Sequence, residues 1–213
     1  KQDEIPVLSY VRWVMVNKRG PDPIAEAPPQ TPAPYVTPPD LLLPGLDFSN
    51  YDAVLAGSPH LYDDYEVGEK IDHVDGVTVE ETEHQLATRL YQNTAKVHFD
   101  ALAQQSSRFG KRLIYGGGTI SLARALAFNG LGNAGLMLAV NGGRHVNPLF
   151  AGDTLYAWSE VLDKTDLGEA GALRLRLVAA KNRACADFPD KSGGEYDPSV
   201  VLDFDYWAAI PKR

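Results

Sequence analysis

Alternation of apolar and polar positions predicts four long strands in the last third of the chain. They cover residues 136–143, 152–164, 172–183 and 200–210, and Gly, Asp and Pro residues separate them. Within the third run, residues 173–178 read Leu-Arg-Leu-Arg-Leu-Val, which predicts a strand with one wet face.

Helical periodicity predicts three helices ahead of these strands. A strand over residues 71–79 precedes a helix over residues 80–91, which opens on the acidic residues that a helix N-terminus favours. A shorter helix covers residues 97–105. The third helix, over residues 119–131, is apolar except for Arg124, so we expect it to be wrapped on nearly all sides. One apolar helix followed by a meander of strands predicts an α+β fold with an antiparallel sheet wrapped around a central helix.

The N-terminal part of the chain has a different pattern. Residues 10–19 predict a strand, and the proline-rich residues that follow predict an extended connector. A strand without a nearby partner either swaps onto a later sheet or another subunit, or is the last strand of a preceding domain, and we favour the second explanation. The predicted organisation is therefore a terminal strand of a preceding domain over 1–20, a Pro-rich linker over 21–61 and the main domain over 62–213.

Composition narrows the classes of partner. The 213 residues carry 20 basic and 28 acidic side chains, a formal charge of -8 that argues against nucleic acid as the main partner. No apolar run reaches about 18 residues, so we expect no membrane-spanning helix. Cys185 is the single cysteine, which favours a reducing, cytoplasmic setting. Because His60, His73 and His84 lack metal-ligand spacing, we predict no metal.

Two features carry candidate chemistry. Three glycines, residues 116–118, precede the apolar helix and leave backbone N–H groups at its positive end, where they can bind phosphate or polarise a carbonyl oxygen as an oxyanion hole. The alternative is a tight packing turn. His98 lies near a predicted helix junction, five residues after Asn93, and its imidazole titrates near neutral pH. The alternative for His98 is a structural histidine.

These features resemble the MaoC-like enoyl-CoA hydratase family, which has the hot-dog fold. The aliphatic-His pair of that family is matched by residues 97–98, its later His-Gly by residues 115–116, and its Pro…Gly-Asp-Thr strand entry by residues 147–154. The sequence departs from the family at Asn93, where the family has Asp, and at residues 95–96, where Ala-Lys replaces Asn-Pro.

A closer resemblance covers nearly the whole chain. Residues 65–76, 89–99 and 156–161 are similar to a subfamily of double hot-dog hydratases. The resemblance implies that this chain is the C-terminal hot-dog domain plus the last strand of the N-terminal one. The implied reaction is that of a hydro-lyase, the reversible addition of water to mesaconyl-CoA to give β-methylmalyl-CoA. It implies no cofactor beyond the CoA of the acyl-CoA substrate, and a homo-oligomer (dimer) or association with an N-terminal hot-dog half.

The resemblance also implies roles for the catalytic candidates. His98 deprotonates the attacking water, and the N–H groups of Gly116 and Gly117 stabilise the enolate oxygen. Asn93 cannot act as a base, because an amide does not titrate, but it can hold the water or fix the tautomer of the imidazole.

Further residues are candidates for substrate binding. Tyr115 is expected against the acyl group, with core filling as the alternative. Arg89, Lys96, Arg144 and His145 are candidates for the substrate carboxylate or the CoA phosphates, with a surface charge as the alternative for each. We favour Arg144 because the glycine and Asn-Pro residues around it predict a turn.

Two other functions are consistent with the sequence. A hot-dog acyl-CoA thioesterase would direct water to the thioester carbonyl rather than to the β-carbon. A non-catalytic half-domain would only bind acyl-CoA or support a partner half.

Overall fold

The computed structural model describes residues 2–12, 20–21, 31–43, 45 and 47–213. The chain divides into two compact units, Lys1–Tyr35 and Val36–Arg213. Residues 13–19 of the predicted N-terminal strand lie outside the described residues, and residues 10–12 have no regular secondary structure. The second unit contains all the helices and strands named below, and it takes in the later part of the stretch predicted as a linker.

The described residues form short helices, two 3₁₀ turns (Pro38–Asp40 and Tyr62–Asp64) and a sheet. The helices are α1 (Ala53–Ala56), α2 (Glu81–Leu90), α3 (Lys96–Phe99), α4 (Ala101–Gln104), α5 (Gly116–Leu126) and α6 (Phe128–Leu131). The strands are β1 (Lys70–Asp72), β2 (Val77–Thr78), β3 (Leu136–His145), β4 (Thr154–Asp166), β5 (Gly171–Lys181), β6 (Lys191–Ser192), β7 (Glu195–Tyr196) and β8 (Val200–Ile210).

The main sheet has the strand order β1-β4-β5-β8-β3, with β2 also paired to β4, and every pair in it is antiparallel. Strands β6 and β7 form a separate pair. The four long predicted strands correspond to β3, β4, β5 and β8 within two residues at each end, and the α+β architecture is confirmed.

Three predicted elements are interrupted. The predicted strand 71–79 is split into β1 and β2, and the predicted helix 97–105 is split into α3 and α4, where the Asp100 carboxylate caps α4. The predicted helix 119–131 begins three residues earlier, at Gly116, and its helical geometry breaks inside α6, where Asn129 has a ψ of 101° and Gly130 has a φ of +97°. A Cβ atom there would also lie 2.6 Å from Cγ2 of Ile71, so only glycine fits this break.

A buried histidine holds this break. Nδ1 of His73 donates to the carbonyl oxygen of Asn129 at 2.6 Å, and Nε2 lies 2.8 Å from the Ser159 hydroxyl. The side-chain amide of Asn129 donates back to the His73 carbonyl. Burial lowers the pKa of His73.

Helix α5 packs its inner face, including Thr119 and Ala123, on the sheet. The prediction that this helix is wrapped on nearly all sides is wrong, because Ser121 and Ala125 are exposed. The sheet covers only one side of the helix, and the contact with α2 leaves these two residues exposed.

The opposite face of the sheet is covered by the segment from Val36 to Leu41. Nε1 of Trp207 donates to the Val36 carbonyl oxygen at 2.8 Å, and Leu41 packs in the same cluster as Trp207 and Ala172. This segment, which we call the strap, covers the Trp207 indole, which is fully buried on this face of the sheet.

The prediction of one wet face on β5 is therefore wrong. The side chains of Arg174 and Arg176 are only 17% exposed, because carboxylates on neighbouring segments pair with them. Arg174 bonds Asp205, and Arg176 bonds both Asp190 and Asp203. Alternation of leucine and arginine marks two faces but does not show what covers the polar one.

The described part of the chain also bears on the membrane and redox expectations. None of its helices has the length and hydrophobicity needed to span a bilayer. Cys185 is a free, buried thiol, and burial raises its pKa to about 12, so the thiolate is scarce at neutral pH.

Candidate active site

The extended segment 113–115, which leads into α5, is the centre of the candidate site. Its three consecutive N–H groups donate to three different parts of the fold. The acceptors are the carbonyl oxygen of Val97 at 3.1 Å, that of Leu149 at 3.0 Å and Nε2 of His84 at 3.2 Å. The segment therefore joins α2, α3 and the loop before β4.

The same segment sets the tautomer of His98. Nδ1 of His98 lies 3.0 Å from the carbonyl oxygen of Leu113. Because a carbonyl oxygen only accepts, Nδ1 carries the proton and the neutral ring has its lone pair on Nε2. The His98 ring also contacts the edge of Tyr115, with ring centroids 6.2 Å apart. His98 thus presents a base nitrogen beside the residue that caps α5.

The first amides of α5 are free to bind a ligand. The N–H groups of Gly118 and Thr119 donate to the Tyr115 carbonyl oxygen. Those of Gly116 and Gly117 have no acceptor within the described chain, and they lie at the positive end of the helix dipole. This arrangement can bind an anion or a developing oxyanion.

The glycines also make room for two aromatic rings. A Cβ atom on Gly116 would lie 2.9 Å from Cε1 of His145, and one on Gly117 would lie 2.7 Å from the hydroxyl oxygen of Tyr115. The two explanations offered by the sequence therefore coexist, because the turn is tightly packed and its amides are free.

Three histidines, His84, His98 and His145, lie near this helix end. Burial and, secondly, the charge on His98 lower the pKa of His84 and of His145. His84 is 4% exposed and lies on the inner face of α2. Both rings are accordingly neutral at neutral pH. No group of three or more His, Cys, Asp or Glu side chains with metal-binding geometry occurs in the described residues.

We expect the free energy of unfolding to fall as the pH is lowered from 7 to 5. The buried rings of His73 and His84 have folded-state pKa values below the unfolded value of about 6.5. Below that pH the unfolded chain binds more protons, so stability that is complete above about pH 6.5 is lost as the pH falls through the lowered pKa values. Each such histidine changes stability by at most about 1.4 kcal/mol per pH unit in this window.

Urea unfolding at pH 7, 6 and 5 measures this effect. The His73→Asn variant, which has one titrating ring fewer, should show a shallower pH dependence even if it is less stable at pH 7. An equally steep dependence in that variant would contradict the assignment.

A cleft of about 130 Å³ lies between α2 and α5 beside this cluster. Its lining is mostly apolar and includes Tyr91, Leu122 and the Tyr115 ring, together with the polar residues Glu83 and Ser121. An apolar cleft with a few polar groups suits a short acyl chain.

Asn93 lies apart from His98. Its Oδ1 accepts the Ala95 N–H at 2.9 Å, and its side chain faces an open depression that Arg89 and Arg112 also line. No hydrogen bond joins it to His98 among the described residues, and Leu113 rather than Asn93 fixes the imidazole tautomer. Its expected role in holding water stays a prediction.

The residues predicted to bind the substrate carboxylate or the CoA phosphates lie in different parts of the structure. Arg144 lies within β3, opposite Asp203, so the prediction of a turn at this position is wrong. Because side chains alternate along a strand, Arg144 and His145 point to opposite faces, and His145 alone reaches α5. Lys96 is exposed at the start of α3, and Arg89 is exposed in the last turn of α2.

Sequence reasoning missed the contribution of α2. The spacing of the histidines gives His84 no role as a metal ligand, and no motif in the sequence points to Gln85. Helical periodicity carries the missing signal, since His84 and Thr88 are the buried residues of this helix and a polar pair on an inner face needs partners.

No family model matches the sequence. The chain is 57% identical, over 99% of its length, to the curated β-methylmalyl-CoA dehydratase of Chloroflexus aurantiacus, of which it covers 61%. It is 59% identical, over 97% of its length, to the mesaconyl-CoA hydratase of Cereibacter sphaeroides, of which it covers 60%. The chain thus spans about three fifths of the length of these relatives.

Solved structures agree with the hot-dog fold. A MaoC domain protein dehydratase from Chloroflexus aurantiacus has a TM-score of 0.78 and 53% identity, covering 92% of this chain and 56% of its own. A Mycobacterium tuberculosis protein described as having a double hotdog fold has a TM-score of 0.56 and 26% identity, covering 80% of this chain and 48% of its own. The predicted hot-dog fold is confirmed.

Proposed function

We propose that this chain, a hot-dog domain homologous over nearly its whole length to part of a β-methylmalyl-CoA dehydratase and of a mesaconyl-CoA hydratase, carries the catalytic half of a hydro-lyase. The reaction is the reversible addition of water to mesaconyl-CoA, giving β-methylmalyl-CoA. The observation that carries the proposal is the tautomer of His98, which leaves Nε2 unprotonated on a ring that contacts Tyr115, the residue just before the unpaired amides of α5.

The proposed chemistry divides between these two groups. Nε2 of His98 takes a proton from water while the water oxygen bonds to the β-carbon. The electron pair of the double bond moves to the thioester oxygen, where the N–H groups of Gly116 and Gly117 stabilise the enolate. The imidazolium then returns its proton to the α-carbon, so the elements of one water molecule are added. Because base and oxyanion donors account for every step, we propose that no cofactor is needed besides the CoA of the substrate.

The acyl group is proposed to lie in the cleft between α2 and α5, against the Tyr115 ring. His145, which is neutral and packs on Gly116, is in reach of the same group. Arg89 and Lys96, which are exposed near Asn93, suit the CoA phosphates instead, because charges at the surface serve an anion that stays partly in water. Arg144 faces away from His145, which argues against a role at the acyl group.

An absorbance assay tests the proposal. Mixing the full-length protein with mesaconyl-CoA should decrease the absorbance of the conjugated thioester. Mixing it with β-methylmalyl-CoA should increase this absorbance, because the reverse reaction forms mesaconyl-CoA. Release of free CoA thiol without loss of the double bond would favour the thioesterase. Binding of mesaconyl-CoA with neither change would favour the non-catalytic half-domain, and either result contradicts the proposed reaction.

A second hot-dog half is proposed to cover the apolar side chains that are exposed after the C-terminal end of α5 and on the edge strand β3. Phe128 is 54% exposed and Val140, on the edge strand β3, is 55% exposed. The curated relatives are longer than this chain by a length that fits such a half. If that half pairs with β3, the outward amides of β3 should resist hydrogen exchange in the full-length protein, and rapid exchange there would contradict the pairing.

We expect Gly117→Ala to lower kcat by about 10- to 100-fold. The new methyl group would overlap the Tyr115 ring, and moving that ring or the first turn of α5 misplaces the oxyanion donors. The steady-state hydration assay measures the effect.

Gly118→Ala is the matched control in the same run of glycines. A Cβ atom on Gly118 would lie 3.3 Å from the Tyr115 ring, a closer fit than usual but not an overlap, and its N–H already donates to Tyr115. It should keep kcat within about threefold. Equal losses in the two variants would show that ring displacement is not the cause.

A further inference from the structure

Two consecutive residues of α2 contact opposite parts of the proposed active site. Nε2 of His84 accepts the backbone N–H of Tyr115 at 3.2 Å. The side-chain amide of Gln85 donates to the carbonyl oxygen of His98 at 2.9 Å. His84 therefore binds the backbone just before α5, and Gln85 binds the backbone of His98, the proposed base.

We propose that His84 and Gln85 are positioning residues that fix the first turn of α5 and the imidazole of His98 relative to each other. The inference rests on the proposed function, in which these two parts act on one acyl group. Neither residue is assigned a contact with the reacting atoms.

The hydrogen bond from Tyr115 to His84 differs from those of its neighbours. The two preceding N–H groups donate to backbone carbonyl oxygens, whereas that of Tyr115 depends on a side chain alone. An N–H group only donates, so Nε2 of His84 is unprotonated and Nδ1 carries the ring proton. The 3.3 Å approach of the Gln85 amide nitrogen to Nδ1 is then a packing contact, because both nitrogens carry hydrogens.

The Thr88 side chain fixes the backbone of α2 at His84. The Thr88 hydroxyl donates to the His84 carbonyl oxygen at 2.7 Å, and both side chains are buried. Loss of the imidazole would leave the Tyr115 N–H without a partner at the start of α5, and the first turn would move to regain one.

Gln85 completes an incomplete helix end. Helix α3 is a single turn, so its carbonyl oxygens lack the intrahelical N–H donors that a longer helix supplies. The Gln85 amide supplies the donor for the carbonyl of His98, and Leu113 holds the ring of the same residue. Backbone and ring of His98 are thus fixed from two directions.

Kinetics of the full-length protein test the proposal. We expect His84→Leu to lower kcat by about 10²-fold with KM within about threefold, since a misplaced donor affects the transition state more than binding. His84→Gln, whose Oε1 can accept the Tyr115 N–H, should recover kcat to within about fivefold of the parent. Gln85→Leu should lower kcat by about tenfold, and His60→Gln, at an exposed histidine outside the site, should change neither constant.

An NMR measurement tests the positioning without turnover. The backbone amide resonances of Tyr115, Gly116 and Gly117 should shift in His84→Leu and return in His84→Gln. A kcat of His84→Leu within threefold of the parent, or a failure of His84→Gln to recover, would overturn the inference. If His84→Leu does not fold, the kcat values of His84→Gln and Gln85→Leu test the inference instead.

The two proposals fail in different ways. A parent protein that hydrates no enoyl-CoA overturns the proposed function, whereas the amide resonances still report whether His84 holds the turn. If the parent protein is active but the amide resonances do not shift in His84→Leu, only the positioning role of His84 is overturned.

Discussion

His98→Asn is expected to lower the rate of the proposed hydration by about 10²- to 10⁴-fold, the range that a positioned acid or base contributes. The asparagine amide can still donate to the Leu113 carbonyl oxygen, as Nδ1 of the imidazole does, while the lone pair of Nε2 is removed. The variant therefore removes the proposed base but keeps the hydrogen bond to Leu113 that positions the side chain. Absorbance of the conjugated thioester gives the rate, and calorimetry with an unreactive thioether analogue of the substrate gives the affinity, which should stay within about threefold.

His60→Asn is the matched control, because it makes the same substitution at an exposed histidine away from α5. It should leave the rate within about twofold. If His98→Asn retained more than a tenth of the parent rate, the base would have to be another group, and Glu83 in the cleft would be the next to test.

Trp207→Ala is expected to lower the free energy of unfolding by about 3–5 kcal/mol, as other buried aromatic truncations do. The indole is fully buried, and its Nε1–H donates one of the hydrogen bonds that join the strap to the sheet; the Val36 N–H donates another to Oδ1 of Asn141. The substitution removes the buried ring and leaves the Val36 carbonyl without this donor. Urea unfolding measures the loss.

Trp207→Phe separates the two contributions. It keeps most of the apolar ring and loses the hydrogen bond, so the expected loss is about 1–2 kcal/mol. A loss below about 1 kcal/mol in the alanine variant would mean that the strap does not depend on this residue.

The strands and the fold class could be predicted from the sequence because they depend on local periodicity. The run 200–210, apolar except for Asp203 and Asp205, forms β8 and is buried on both faces, and α2 begins at its acidic residues as expected. What covers each face could not be predicted. The arginines of β5 were expected in water because their acidic partners are up to 31 residues away in the sequence.

The candidate site was predicted in part. The sequence indicated His98, the glycines and His145, which the structure brings to one helix end. It could not indicate that a strand continues through Arg144, because Gly142 and Gly143 suggest a turn unless β8 is known to pair with them. The partner of the Tyr115 N–H was missed for the same reason, since nothing local links residues 84 and 115.

The separation of these segments along the chain has a kinetic consequence. His145 reaches α5 only when the end of β3 is paired with β8, where it lies opposite Leu202. Such distant pairings close late in folding, because the intervening loop must lose its entropy first. On refolding from denaturant, the helical circular-dichroism signal should therefore return before the proposed hydration activity does. The delay between the two measures how slowly β3 pairs with β8 at the edge of the sheet.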